Sequence, residues 1–156
     1  MNTVPAKLTG LEFLRQGLGN SSPDFASLGP PIFRLMNIRA VNFERGLAVF
    51  EATPAAQHYN PLGSVHGGWA ATVLDSALGC AVHSALPAGK IYTTLELKVN
   101  MVRAITADTG VMICEGRIIH LGGRTATADA KLIGPDGKLY AHGSTTCMIF
   151  SIPSAS

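Results

Sequence analysis

The longest stretch of uniform character in the chain is apolar. From His66 to about Ser84, HGGWAATVLDSALGCAVHS, the length suits a helix, and apolar residues fall on nearly every side of it. A helix without a polar face must be buried on nearly every side, so this segment is expected at the centre of the fold. Further on the period changes to two. Ile91, Thr93, Leu95, Leu97, Val99 and Met101 alternate with Tyr92, Thr94, Glu96, Lys98 and Asn100, which predicts a half-buried strand with the second set on its polar face. More strands fit 111–120, 124–133 and 138–150, with Gly122-Gly123 and Pro135-Asp136-Gly137 as turns. Ahead of the helix, 38–43 and 47–53 read as strands around a Glu44-Arg45-Gly46 turn, and 54–65 as a loop.

At the N-terminal end, Thr9 and Glu12 form a capping box before Leu11, Leu14 and Leu18, so a short amphipathic helix is expected, ending at Gly17 or Gly19. The run NSSPDFASLGPP, 20–31, reads as an irregular connector. Two strands, a buried helix and four strands joined by short turns favour antiparallel pairing. The expected architecture is α+β: a long antiparallel sheet curled around one apolar helix, with an extra N-terminal helix. Residues 1–30 would hold that helix and its connector, 31–150 the single domain, and 151–156 a tail.

Composition narrows the function classes. At 156 residues one domain is expected. A net charge of +2 with 14 % charged residues leaves no basic stripe for nucleic acid. Apolar residues make up 47 %, more than so small a domain can hide, and self-association is the natural outlet. Cys80, Cys114 and Cys147 form no CxxC pair and suit a reducing compartment. No secretory signal is evident, and the apolar run Trp69 to Val82 is too short, and too polar at Asp75, to span a bilayer. A cytoplasmic protein without a membrane partner is expected. His58, His83, His120 and His142 show no ligand spacing, so no metal is expected.

Asp75 stands out against this background. It is the only Asp, Glu, Lys or Arg between His66 and His83, and an unpaired charge within an apolar helix is costly. A subunit contact or a solvent channel would explain it, and so would catalysis. Gly67 and Gly68 lie at the expected helix start, where the first N–H groups lack intrahelical partners and can bind an oxyanion. Glycine there also lets a ligand carbonyl approach the backbone. Trp69 beside them could line an acyl pocket or simply belong to the core.

Together, Asn60, Gly63, His66-Gly67-Gly68 and Asp75 resemble the acyl-CoA thioesterases of the phenylacetate-pathway PaaI type, which share N-x-x-G-x-x-H-G-G followed by an acidic residue on the helix of a hotdog fold. The resemblance runs from roughly 35 to 150, with the motif confined to 60–75. It implies hydrolysis of an acyl-CoA, with a medium-chain or aromatic acyl group such as phenylacetyl, to the free acid and CoA. Asp75 would then be nucleophile or general base, and the Gly67 N–H would polarise the thioester carbonyl. Asn60 and His66 would orient water or thioester and fix the loop. The hydroxyl on the following strand would be Thr94, or Thr93 one residue earlier, with Thr94 preferred for its place two residues before Glu96. Coenzyme A enters as part of the substrate, and no cofactor is implied. Its phosphates could meet Arg103, Lys98, or Arg124 after Gly123. The alternatives in this fold are a non-catalytic acyl-CoA-binding module and a dehydratase or hydratase.

Helix arithmetic adds a constraint. Gly67 and Asp75 are eight residues apart, roughly 12 Å along one helix. One carbonyl cannot touch both, so a shared site built from two chains is expected, in a homodimer or a dimer of dimers.

Overall fold

The computed structural model describes residues 7–19 and 29–152. The connector expected over 20–31 lies mostly outside these residues, as do the Leu18 side chain and most of the tail. Thr9 and Glu12 cap each other: the Thr9 N–H donates to Glu12 Oε2 at 2.8 Å and the Glu12 N–H to Thr9 Oγ1 at 3.3 Å. Helix α1 follows, Gly10–Gly19. A short helix α2, Pro31–Leu35, has proline in its first turn, where no N–H is missed. Strands β1, Ile38–Glu44, and β2, Leu47–Ala52, turn at Gly46, whose φ of +79° suits glycine. The long helix α3 is Gly67–Ala85. Strands β3, Lys90–Met101, β4, Met112–Leu121, β5, Thr125–Ile133, and β6, Leu139–Ser151, complete the domain.

All pairings are antiparallel, in the order β1-β2-β4-β5-β6-β3, so β1 and β3 are the sheet's edges. The sheet curls around α3, whose Val73, Leu74, Ala77 and Leu78 are fully buried. Small inward residues let the helix come close. Ala126, Ala128 and Ala130 face it from β5, and a Cβ on Gly116 of β4 would lie 2.4 Å from the Ala77 carbonyl oxygen. This is the curled sheet around one helix that the sequence predicts. No helix among the described residues is long and apolar enough to cross a membrane.

Helix α3 is buried on most sides, as expected, with one opening that the apolar pattern did not mark: Gly68 is exposed, and Ala71, Thr72, Asp75, Ser76 and Cys80 are only partly buried. These small and polar residues form a stripe, with the Thr72 hydroxyl donating to the Gly68 carbonyl and Ser76 to that of Thr72. The smooth period-two reading of β3 fails. The ladder to β6 skips Leu95, a bulge that reverses which side chains face inward. Leu97 and Val99 pack on the core as expected, but before the bulge the inward residue is Tyr92 and the exposed ones include Thr93.

Helix α1 closes one end of the domain. Its Gly10 N–H donates to the Leu86 carbonyl at 3.1 Å, and Phe13 meets the His83 ring at 5.6 Å. A Cβ on Gly10 would sit 1.7 Å from the His83 carbonyl oxygen, so only glycine permits this approach.

Candidate active site

The motif loop is a self-contained turn. Asn60 Oδ1 accepts from the Leu62 N–H at 2.8 Å and the Ser64 N–H at 3.4 Å, while Nδ2 donates to Ser64 Oγ at 3.1 Å. Its side chain is therefore occupied in shaping the loop. Gly63 has φ +81°, a left-handed conformation that explains the glycine at this place in the motif. Val65 ties the loop to the far side of the site by donating to the Ile105 carbonyl at 2.8 Å.

His66 is the N-cap of α3, and its Nδ1 accepts from the Gly68 N–H at 2.8 Å. That bond occupies the Gly68 amide. The Gly67 N–H, first in the helix, has no partner among the described residues. It borders a cavity of about 280 Å³ lined by His66, Arg103 and the apolar Val65, Ala70, Met101 and Ile105. Arg103 is exposed and forms no ion pair among the described residues.

Helix α3 and strand β3 run in opposite directions along a common seam. Gly67 lies by Met101, whose Cε is 3.1 Å from where a Gly67 Cβ would be. Eight residues on, Asp75 Oδ1 accepts from the Thr94 hydroxyl at 3.2 Å. Gly79 then meets Tyr92. Of the two hydroxyls considered, that of Thr94 meets Asp75, while Thr93 is exposed and pairs with Met148. The reason given for preferring Thr94 does not hold: the Leu95 bulge turns Thr94 inward and leaves Glu96 outside. Partial burial raises the Asp75 pKa, and the Thr94 hydrogen bond opposes it. Nearby, burial and then the Asp75 charge push the Cys80 thiol up to about 12, which keeps it protonated.

The remaining candidates are more scattered. Trp69 is 2 % exposed, donates from Nε1 to the Met36 carbonyl at 2.8 Å and stacks on His58. It borders a second cavity, of about 350 Å³, rather than the one at Gly67. Lys98 is exposed and, lying between inward Leu97 and Val99, faces away from α3. Gly123 and Arg124 sit at the β4–β5 turn, near the end of the sheet where Thr125 pairs with Met148 and Met148 with Thr93. Within one chain they are far along the seam from Gly67 and Arg103. Sequence reasoning missed the cavity's apolar wall, Met101 and Ile105, and Tyr92, whose side the hidden bulge decides. No cluster of His, Cys, Asp and Glu among the described residues could hold a metal ion.

The thioesterase superfamily profile matches residues 62–141, just over half of the chain and all of the seam. Halobacterium salinarum VNG_1336C, an esterase by provisional name, is 35 % identical over 75 residues, 47 % of this chain, and the match spans about half (48 %) of that relative's length. Among solved structures, conserved protein PA5202 of Pseudomonas aeruginosa is 30 % identical with TM-score 0.72, over 78 % of this chain and 95 % of that one. Two others share the fold at lower identity. The E. coli PaaI protein from the phenylacetic acid degradation operon has TM-score 0.73 at 20 % identity, over 89 % of this chain and 95 % of its own. Streptococcus mutans smu.793, bound to acetyl CoA, has TM-score 0.67 at 23 % identity, over 74 % of this chain and 90 % of its own. The solved neighbours share the helix wrapped by an antiparallel sheet, and with the family match over more than half of its length this chain belongs to the thioesterase superfamily with its hotdog fold.

Proposed function

We propose that the protein hydrolyses acyl-CoA thioesters, with a medium-chain or aromatic acyl group, in sites that two copies of the chain build together. The observation that carries this reading is the pairing on one helix of an unpartnered amide, at Gly67, with a partly buried carboxylate at Asp75, separated by roughly 12 Å. Neither half is a site alone. The stripe of small residues on α3 and the unpaired edge of β3 flank Asp75, and a second copy laid against them brings its Gly67 to the carboxylate. Exposed apolar residues on the sheet, such as Leu95, Met148 and Phe150, support a further pairing of dimers.

In the water-activating form, Asp75 removes a proton from water as the oxygen attacks the thioester carbon, and the carbonyl oxygen becomes an oxyanion held by the Gly67 N–H of the partner subunit. The C–S bond then breaks, and the CoA thiolate takes the proton back from Asp75. In the nucleophilic form, Asp75 attacks the carbon, expels the thiolate and forms an anhydride that water hydrolyses. Oxygen-18 incorporation into Asp75 in a single turnover distinguishes them. His66 and Asn60 hold the loop that presents the amide, and Arg103 offers its guanidinium to a CoA phosphate. The smu.793 structure with acetyl CoA supports a CoA ester as the ligand of such a fold.

A proline at position 67 gives an unusual test. Gly67 is the first helical residue, where proline is accepted, and its ring removes the N–H that would bind the oxyanion. His66, at φ −61° and ψ 136°, already has the backbone that precedes proline. Gly67→Pro should lower kcat by about a hundredfold to a thousandfold in a thiol-release assay over an acyl-CoA panel. Asp75→Asn should lower it by roughly a hundredfold to ten-thousandfold. Unfolded, mixed in equal amounts and refolded, the two variants should regain about a quarter of wild-type activity, since half the dimers then contain one intact site of two. Full activity in either variant, or no recovery from refolded mixed dimers, sinks the shared-site mechanism.

A further inference from the structure

Past Asp75 the seam between α3 and β3 is closed, and Tyr92 closes it. Tyr92 and Thr94 both precede the Leu95 bulge and point inward from β3. On α3, the residue one turn beyond Asp75 is Gly79, and its lack of a side chain makes room for the phenol: an added Cβ would lie 2.3 Å from Tyr92 Oη. The Tyr92 ring packs edge-on against His83, with centroids 5.7 Å apart, and His83 is backed by Phe13 of α1. Asp75, Gly79 and His83 therefore follow one another at i, i+4 and i+8 along the seam. In front of them stand first the Thr94 hydroxyl and then the Tyr92 ring. Among the described residues the Tyr92 hydroxyl forms no hydrogen bond, so shape holds the ring in place.

We infer that Tyr92 is the stop that sets how long an acyl group the site accepts. The inference rests on the thioesterase reading above. An acyl carbon placed at Asp75 has two ways to extend its tail along the seam. The direction toward Gly67 belongs to the other half-site, where the CoA portion of a second substrate arrives. The remaining direction runs to Gly79, where the ring blocks it within one helical turn, about 6 Å. Compact acyl groups fit in front of the ring, and long straight chains do not. Glycine at 79 gives the ring its seat, and α1 prevents it from swinging further back.

The test uses the full chain with straight acyl-CoAs from acetyl to dodecanoyl, in wild type, Tyr92→Phe, Tyr92→Leu and Tyr92→Ala. Phenylalanine keeps the ring and should keep the wild-type length profile. Leucine and alanine should move the optimum of kcat/KM to longer chains, by roughly tenfold for each methylene newly accommodated. Binding of the same panel is measured by calorimetry in an Asp75→Asn background, where length is read without turnover. Leucine is the milder change should alanine fail to fold. If the length profile of binding is the same with Tyr92 and with leucine in its place, the stop is overturned, whether or not wild type turns over. If wild type hydrolyses none of the panel but the binding profile lengthens in the leucine variant, the stop stands and the catalytic reading falls. Binding of no acyl-CoA by any variant overturns both.

Discussion

At Asp75, burial favours the neutral acid, the Thr94 hydroxyl favours the carboxylate, and burial is the larger influence. The proposed reaction needs the carboxylate, so kcat/KM should rise with pH through a value above the ordinary 3.8. Thr94→Val removes the opposing hydrogen bond and should move that acid limb to higher pH; a limb that stays put would show that the hydroxyl does not tune the acid. Stability runs the other way. A carboxyl whose folded pKa is raised favours the folded state when protonated, an advantage full below pH 3.8 and lost as pH rises through the raised value. At neutral pH the ionised group is a burden, reduced by its partial exposure. Asp75→Asn should therefore raise Tm slightly at pH 7 while removing activity, and an unchanged or lower Tm would contradict the burial argument. Asn60, Gly63, His66 and Gly67 were legible in the sequence because turns and helix caps are settled by residues within a few positions of one another. The facing of Thr94 was not legible, since it depends on pairing with a strand some fifty residues away.

The elements themselves were legible to within one or two residues where a period persisted, as in α3 and the strands β4 to β6. What the pattern missed in β3 was its interruption. Apolar residues recur at odd positions straight through 91–101, and nothing local distinguishes Leu95 as the residue left out of the ladder. The uncovered stripe of α3 was hidden for a related reason, because Ala71 and Cys80 look alike to a hydropathy argument whether or not a sheet covers them. The docking of α1 on α3 carries its own prediction. Gly10→Ala forces a clash with the His83 backbone and should destabilise by about 1–3 kcal/mol, seen as faster hydrogen exchange across α1 and a lower Tm. Under the same helix, His83 is buried with Nε2 unpartnered among the described residues, and burial lowers its pKa below 6.5. The unfolded chain binds a proton there more readily, so stability present above pH 6.5 is lost as pH falls toward the depressed value. Denaturant midpoints measured from pH 7.5 to 5 should show this loss in wild type and much less of it in His83→Leu (pH range chosen around the roughly 6.5 of free histidine).

For the molecule as a whole, the proposed mechanism makes activity a property of the dimer. Specific activity should fall on dilution in step with the dimer fraction measured by mass photometry; a monomer with undiminished turnover would end the argument. The apolar surplus pointed to self-association, yet composition could not say which surface was left open. The strand order leaves both β1 and β3 at edges, and the proposed mechanism selects β3, which lies beside the stripe on α3. Leu95 lies on that same edge. Because the ladder passes over it, deleting it would restore an unbroken alternation in which Thr94, Leu97 and Val99 all still point toward the helix. What the deletion would take away is bend, since a bulge kinks and twists the strand that carries it. The curvature of the β3 edge and the side chains beside it can thus be altered separately, the one by removing a residue and the other by exchanging one.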